Sequence, residues 1–177
     1  LNGAGGTILV RTPIQQDSID EPDETFQLKV TKADGKVVIG TATIQDDGNG
    51  TIFKPDGSID NTTPKDDDRV VTVTSPAVNE ASPYAVFTVD GTPGQLVSLT
   101  LTDGTATSAD YGATLEVSIN GGPTWVLYTG GNVALNGAGG TILVRTPIQQ
   151  DSTDEPDETF TLTVTKADGQ SVIGTAT

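Results

Sequence analysis

The sequence predicts an all-β protein, an antiparallel β-sandwich in tandem copies, on three observations. Short segments alternate apolar and polar residues with a period of two. Turn residues punctuate them at short intervals. No segment sustains the 3.6-residue period of an amphipathic helix.

In chain order, Phe26, Leu28 and Val30 alternate with Gln27 and Lys29. Val71 and Val73 alternate with Thr72 and Thr74, and Val97, Leu99 and Leu101 with Ser98, Thr100 and Thr102. Leu115, Val117 and Ile119 alternate with Thr114, Glu116 and Ser118; Phe160, Leu162 and Val164 alternate with threonines. Asp90-Gly91, Asp103-Gly104, Asn120-Gly121-Gly122, Gly130-Gly131 and Asp168-Gly169 supply the turns. Seven or so strands of this kind in roughly 110 residues, with threonine-rich outer faces, suit a sandwich of two sheets.

An internal repeat organises the chain. Residues 1–43 and 135–177 are offset by 134 positions and identical at 38 of 43. The differences are Ile19/Thr153, Gln27/Thr161, Lys29/Thr163, Lys36/Gln170 and Val37/Ser171. Gln27 and Lys29 vary while Phe26, Leu28 and Val30 do not, so one strand face is expected to be buried and the other free to change. Three segments follow: residues 1–47 as the C-terminal half of one sandwich, 48–68 as an acidic linker, and 69–177 as a nearly complete second sandwich. Residues 1–45 hold about three strands, too few to bury a core alone. This half is expected to be completed by another chain, or by exchange with 135–177 for the strands at 70–134. The second sandwich is expected to lack its closing residues, because the first copy continues past Thr43 as IQDDG.

Composition narrows the chemistry. Cysteine, histidine and methionine are absent. Disulfides, thiolate ligands and the commonest general base are therefore excluded. Formal charge is −15 and the isoelectric point about 4.1, which argues against a nucleic-acid partner. No apolar run approaches the ~18 residues of a membrane helix, so membrane insertion is not expected. The opening LNGAGGTILV lacks the basic start and long apolar centre of a signal peptide. What remains for metal binding is oxygen, which suits Ca²⁺ or Mg²⁺.

The carboxylates fall in groups. DSIDEPDE spans Asp17 to Glu24, and its copy DSTDEPDE spans Asp151 to Glu158, each in a loop between strands. Asp46 and Asp47, with Asn49, follow the first copy; Asp66, Asp67 and Asp68 end the linker. Glu80, Asp103 and Asp110 lie early in the second sandwich. Carboxylates gathered without a cation repel one another and shift their pKa values upward. A solvated turn and a solubilising linker are the plainer explanation for the same residues. DDGNG does not have EF-hand spacing, since no Glu stands at loop position 12. The linker is stiffened by Pro55 and Pro64, and PDGSIDN is expected to form its own turn with Asp56, Asp60 and Asn61 as spare ligands.

TDGTATSADYG, DSTDEPDETFTLTV and VIGTATI with DDG occur in an order that resembles the Calx-β pattern. SPAVNEASPYAVFTV and the exit DDGNGTI resemble the immunoglobulin-like extender repeats of giant bacterial RTX adhesins. The resemblance covers the second sandwich and the C-terminal half of the first. It implies an Ig-like, Calx-β-like sandwich and calcium where the Glu80, DGTATSADY and DEPDE loops meet the exit aspartates. Carried over residue by residue, the ligands are Glu80, Asp103, Asp110, Asp151, Asp154, Glu155 and Glu158, and in the first copy Asp17, Asp20, Glu21, Glu24, Asp46 and Asp47. The second copy has no exit pair in this sequence, which leaves its ligand set short of the pattern.

The expected function is a calcium-rigidified spacer in a secreted, biofilm-type cell-adhesion protein on the bacterial surface, its partners being neighbouring repeats of the same polypeptide. The alternative is a calcium-dependent glycan-binding module using Trp125, Tyr128 and Tyr111, against which Trp125 is more simply a core residue. An enzyme is not expected. Glu155 and Glu158, or Asp20 and Glu24, lie on one turn and cannot flank a scissile glycosidic bond. Outward threonine rows reflect β-propensity more simply than ice binding.

Overall fold

The computed structural model describes residues 6–177, in two compact units, the second beginning at Arg69. Among the described residues there is no α-helix; the chain is antiparallel β-structure throughout.

The first unit is built on a hairpin. Strands β1 (Glu24–Thr31) and β2 (Val37–Ile44) pair with Phe26 opposite Ala42, Leu28 opposite Gly40 and Val30 opposite Val38. The turn closes locally: Lys32 N donates to Lys36 O, and Gly35 N to Lys32 O. Gly35 sits at φ 81°, a conformation that a Cβ disfavours. The segment read as an acidic linker contains a second, two-residue ladder, β3 (Ile52–Phe53) with β4 (Ile59–Asp60). Its turn forms at Pro55–Gly57, where the sequence places one, with Lys54 N bonded to Ser58 O.

The second unit is a two-sheet sandwich. Its strands are β5 (Thr72–Val73), β6 (Tyr84–Asp90), β7 (Leu96–Asp103), β8 (Leu115–Ser118), β9 (Val126–Tyr128), β10 (Val133–Ala134), β11 (Thr141–Pro147), β12 (Phe160–Lys166) and β13 (Ser171–Ala176). One sheet has the order β5-β6-β11-β8-β9, the other β10-β7-β12-β13. With β5, β6, β7, β8, β11, β12 and β13 lettered A to G in chain order, these are the A-B-E-D and C-F-G sheets of an Ig-like sandwich. Val89, Phe87 and Ala85 from β6 and Ile142 and Val144 from β11 face Val97, Leu99, Leu162, Val164 and Phe160 from the opposing sheet. Phe87 meets Phe160 edge-on at 6.0 Å. Each buried Val, Leu, Ile or Phe among them contributes roughly 1.5–3 kcal/mol relative to an exposed one.

Two differences from the sequence reading have physical causes. Ile119 does not share the buried face of Leu115 and Val117, being 51% exposed. The strand stops at Ser118, whose Oγ accepts from Gly122 N at 2.9 Å and donates to Asn120 at 2.8 Å, turning the chain. Among the described residues the first unit has two of the three strands expected within residues 1–45. TILVRTP is strand β11 at Thr141–Pro147 but forms no strand at positions 7–13. In the sandwich β11 is hydrogen-bonded on both edges, to β6 and β8. The first copy has neither neighbour, and β-propensity alone does not hold a solitary strand.

Candidate metal centre

Among the described residues two groups of carboxylates converge, one in each unit. In the second unit Asp110, Glu155 and Glu158 each offer an oxygen within 4.8 Å of the others. Asp110 comes from the turn after β7; its carboxylate is held by Thr107 N at 2.7 Å and Thr107 Oγ at 3.0 Å. Glu155 and Glu158 come from the loop between β11 and β12. Glu80, before β6, accepts from Asp151 N at 2.8 Å and ties the third loop to the second. A cavity of about 320 Å³ opens here, lined by Glu80, Asp110, Asp151, Glu155, Asp157 and Glu158 around the rings of Tyr111 and Phe160.

The electrostatics follow the crowding. Desolvation pushes the Glu155 carboxyl above its usual range, reinforced by Asp151, Asp110 and Glu80. Desolvation, then Asp110 and Glu155, does the same to Glu158. Asp110 goes the other way, because the Thr107 donors favour its charged form. Opposite shifts therefore meet at one cavity, downward for Asp110 and upward for Glu155 and Glu158.

In the first unit Asp46, Asp66 and Asp68 have carboxylate oxygens within 4.8 Å of one another. Gly48 N donates to Asp66 O at 2.7 Å and Asp47 bridges to Asp67, so the end of the linker folds back beside the chain leaving β2. Glu21 N donates to Asp46 Oδ2 at 3.0 Å, bringing the DSIDEPDE loop to the same place. Glu21 is raised by Asp17 first, then by desolvation, Glu24 and Asp46. A cation with ~2.4 Å bonds to oxygen spans pairs of ligands up to ~4.8 Å apart, so either triplet is within reach of one ion.

The structure sorts the sequence candidates. Glu80, Asp110, Asp151, Glu155 and Glu158 line one cavity; Asp46, Asp66 and Asp68 meet, with Glu21 bonded to Asp46 through its backbone and Asp17 and Glu24 near Glu21. Asp103 stands apart from its expected role: it accepts from the Tyr111 hydroxyl at 2.5 Å and does not line the cavity. Burial and then Asp103 hold the Tyr111 phenol at about 12. Asp154 does not line the cavity, and Asp20 is in neither triplet. Asp67 is buried and lies outside the Asp46 group, while Asp47 accepts from Asn49 N at 3.1 Å and Asn49 Nδ2 at 2.8 Å. Asp56 and Asp60 serve their own turns. Asp60 takes Thr62 and Thr63 donors, which lower it to about 2. Asp157, absent from the sequence set, lines the cavity; its place in DEPDE was the available signal.

The aromatic residues are engaged within the fold. Trp125 is not a core residue: it is half-buried with the Arg145 guanidinium 4.1 Å from its ring, and Tyr84 covers the same guanidinium at 3.8 Å. Tyr111 stacks on Phe160 at 4.1 Å, and the Tyr128 hydroxyl accepts from Leu99 N. No family model matches the chain, and no curated protein matches it. Among the described residues no helix is long and apolar enough to cross a membrane.

Proposed function

We propose that this chain is a calcium-rigidified extender of a long bacterial cell-surface adhesin, a spacer that carries a distal binding domain away from the cell. The observation behind this reading is that each copy of the DEPDE loop gathers with acidic residues from other segments: Asp46 in the first unit, Asp110 and Glu80 in the second. Bare, these carboxylates repel. A bound Ca²⁺ replaces repulsion by shared coordination and fixes the loops that bear them. An array so clamped resists bending, which is the property a spacer needs. The reaction-bearing groups of an enzyme play no part in this reading.

Calorimetric titration of the metal-free chain with Ca²⁺, paired with small-angle scattering in calcium and in chelator, is the test. Saturable binding with loss of interdomain freedom on calcium addition is expected. Identical scattering and identical melting in both conditions removes the proposal.

A further inference from the structure

The two near-identical stretches differ in what covers them. Phe160, Leu162 and Val164 are between 0% and 4% exposed, whereas their counterparts Phe26, Leu28 and Val30 are 38%, 44% and 49% exposed. Ile142 and Val144 are buried, and Ile8 and Val10 are 57% and 60% exposed. The registers of β1 with β2 and of β12 with β13 are the same. The second edge of β12 pairs with β7, while β1 has β2 as its one strand neighbour among the described residues.

We propose that the apolar face of the first unit is a docking site for a polypeptide segment of the Arg69–Ala134 type, the N-terminal half of a repeat, which adds strands to the free edge of β1 and closes a sandwich. The sandwich at Arg69–Thr177 shows the chemistry of the match. There Ala85, Phe87 and Val89 of β6 cover Phe160, Leu162 and Val164, whose counterparts Phe26, Leu28 and Val30 are exposed. The five differences between copies spare all of Phe26, Leu28, Val30, Val38, Gly40 and Ala42, so the docking face is unchanged. Charge matches too. Arg145 Nε donates to Glu116 Oε2 at 2.7 Å, and Arg11 is its counterpart in the first copy. Close approach matches at glycine. A Cβ on Gly174 falls 2.2 Å from Thr74 O, so the covering segment runs against it; a Cβ on Gly40, its counterpart, meets nothing within 4 Å.

A second copy of the same chain is the weaker occupant. Its Arg69–Ala134 segment is already covered by its own residues 135–177. Exchange frees one apolar face for each face it hides, with no net burial to offset the entropy of association.

The test joins a copy of Arg69–Ala134 ahead of Leu1 in the full chain, which reproduces the junction between Ala134 and Leu135. Hydrogen exchange of the β1 amides is expected to slow at least ~100-fold relative to the 177-residue chain. The calorimetric unfolding enthalpy is expected to rise roughly twofold. Gly40→Ala separates docking from folding: it leaves the 177-residue chain unchanged and cuts the slowing in the extended chain at least ~10-fold, through a backbone collision. Docking rests on apolar burial and strand pairing, so the measurement is made in calcium and in chelator, and slowing in either supports it. Unchanged β1 exchange in both conditions overturns it. Protection of β1 in the 177-residue chain that grows with protein concentration also overturns it, because a second copy is then the occupant.

Discussion

Glu158 and Tyr111 line the same cavity and respond to opposite needs. Glu158 is held above its ordinary range by desolvation and by Asp110 and Glu155, so its charge is unfavourable until a cation arrives. Glu158→Gln is therefore expected to raise the melting temperature in chelator and to weaken calcium binding roughly tenfold or more, since affinity follows ligand charge. Paired melting curves and calcium titration read both signs; a variant that melts lower in chelator contradicts the repulsion argument. Tyr111 is different: its ring is core and its hydroxyl serves Asp103. Tyr111→Phe keeps the stack on Phe160 and removes the hydrogen bond, at a cost of about 1–2 kcal/mol in urea denaturation near neutral pH. The phenol is raised to about 12 in the folded state. A raised group stabilises below its unfolded pKa and loses that contribution as pH climbs through the folded one. Stability of the parent chain should thus fall between pH ~10 and ~12, and the Tyr111 share of that fall should be missing in Tyr111→Phe.

Among elements, the hairpin and the strand TILVRTP teach different things about what a sequence encodes. The hairpin carries its own instructions: the Asp-Gly turn, glycine at positive φ, and the cross-strand apolar pairs Val30–Val38 and Phe26–Ala42 flanking it. It forms in both units with the same register. TILVRTP carries only alternation, and becomes a strand where β6 and β8 bond both its edges. The fold class and the alternating strands were legible because burial imposes a period of two on sequence. The short strands β9 and β10 lack the length to show a period. The site was legible as loops, since acidic turns are visible in one dimension. Which carboxylates meet was not, because Asp103 is claimed by a tyrosine eight residues on and Glu80 reaches Asp151 across 71 residues. The same contrast yields a paired expectation for glycine. Gly174→Ala pushes a Cβ to 2.2 Å from Thr74 O and 2.9 Å from Val73 Cγ2. It should destabilise the sandwich by about 2–4 kcal/mol, read from the denaturation midpoint. Gly40→Ala, identical in local sequence, should change it by less than ~0.5 kcal/mol. Equal losses in both variants mean that strand propensity, not the approach of β5, sets the cost.

Across the whole molecule the decisive quantity is charge. Twenty-four acidic residues face nine basic ones, for a net −15. Repulsion at that density opposes compaction. The carboxylates nevertheless divide by sign of shift. Glu21, Glu155 and Glu158 are raised, the first chiefly by Asp17 and the other two chiefly by desolvation. Their folded forms bind protons more tightly than their unfolded forms, so acidification from neutrality relieves them. Asp56, Asp60 and Asp110 are lowered by hydrogen bonds, from Ser58, Thr62 and Thr107 respectively. Their contribution is present above the unfolded aspartate value and is lost as pH falls through the folded one. In chelator, stability is expected to climb as pH drops from 7 toward ~5, then to fall below pH ~4 as the aspartates lose their donors' benefit. With calcium saturating, the climb should vanish, because the cation has already relieved the raised glutamates and protons now compete with it. Thermal melting across that range, with and without chelator, gives two curves that converge on the acid side and separate near neutrality. Parallel curves mean that calcium binds neither beside Glu21 in the first unit nor beside Glu155 and Glu158 in the second, and that the acidic loops act only through solvation.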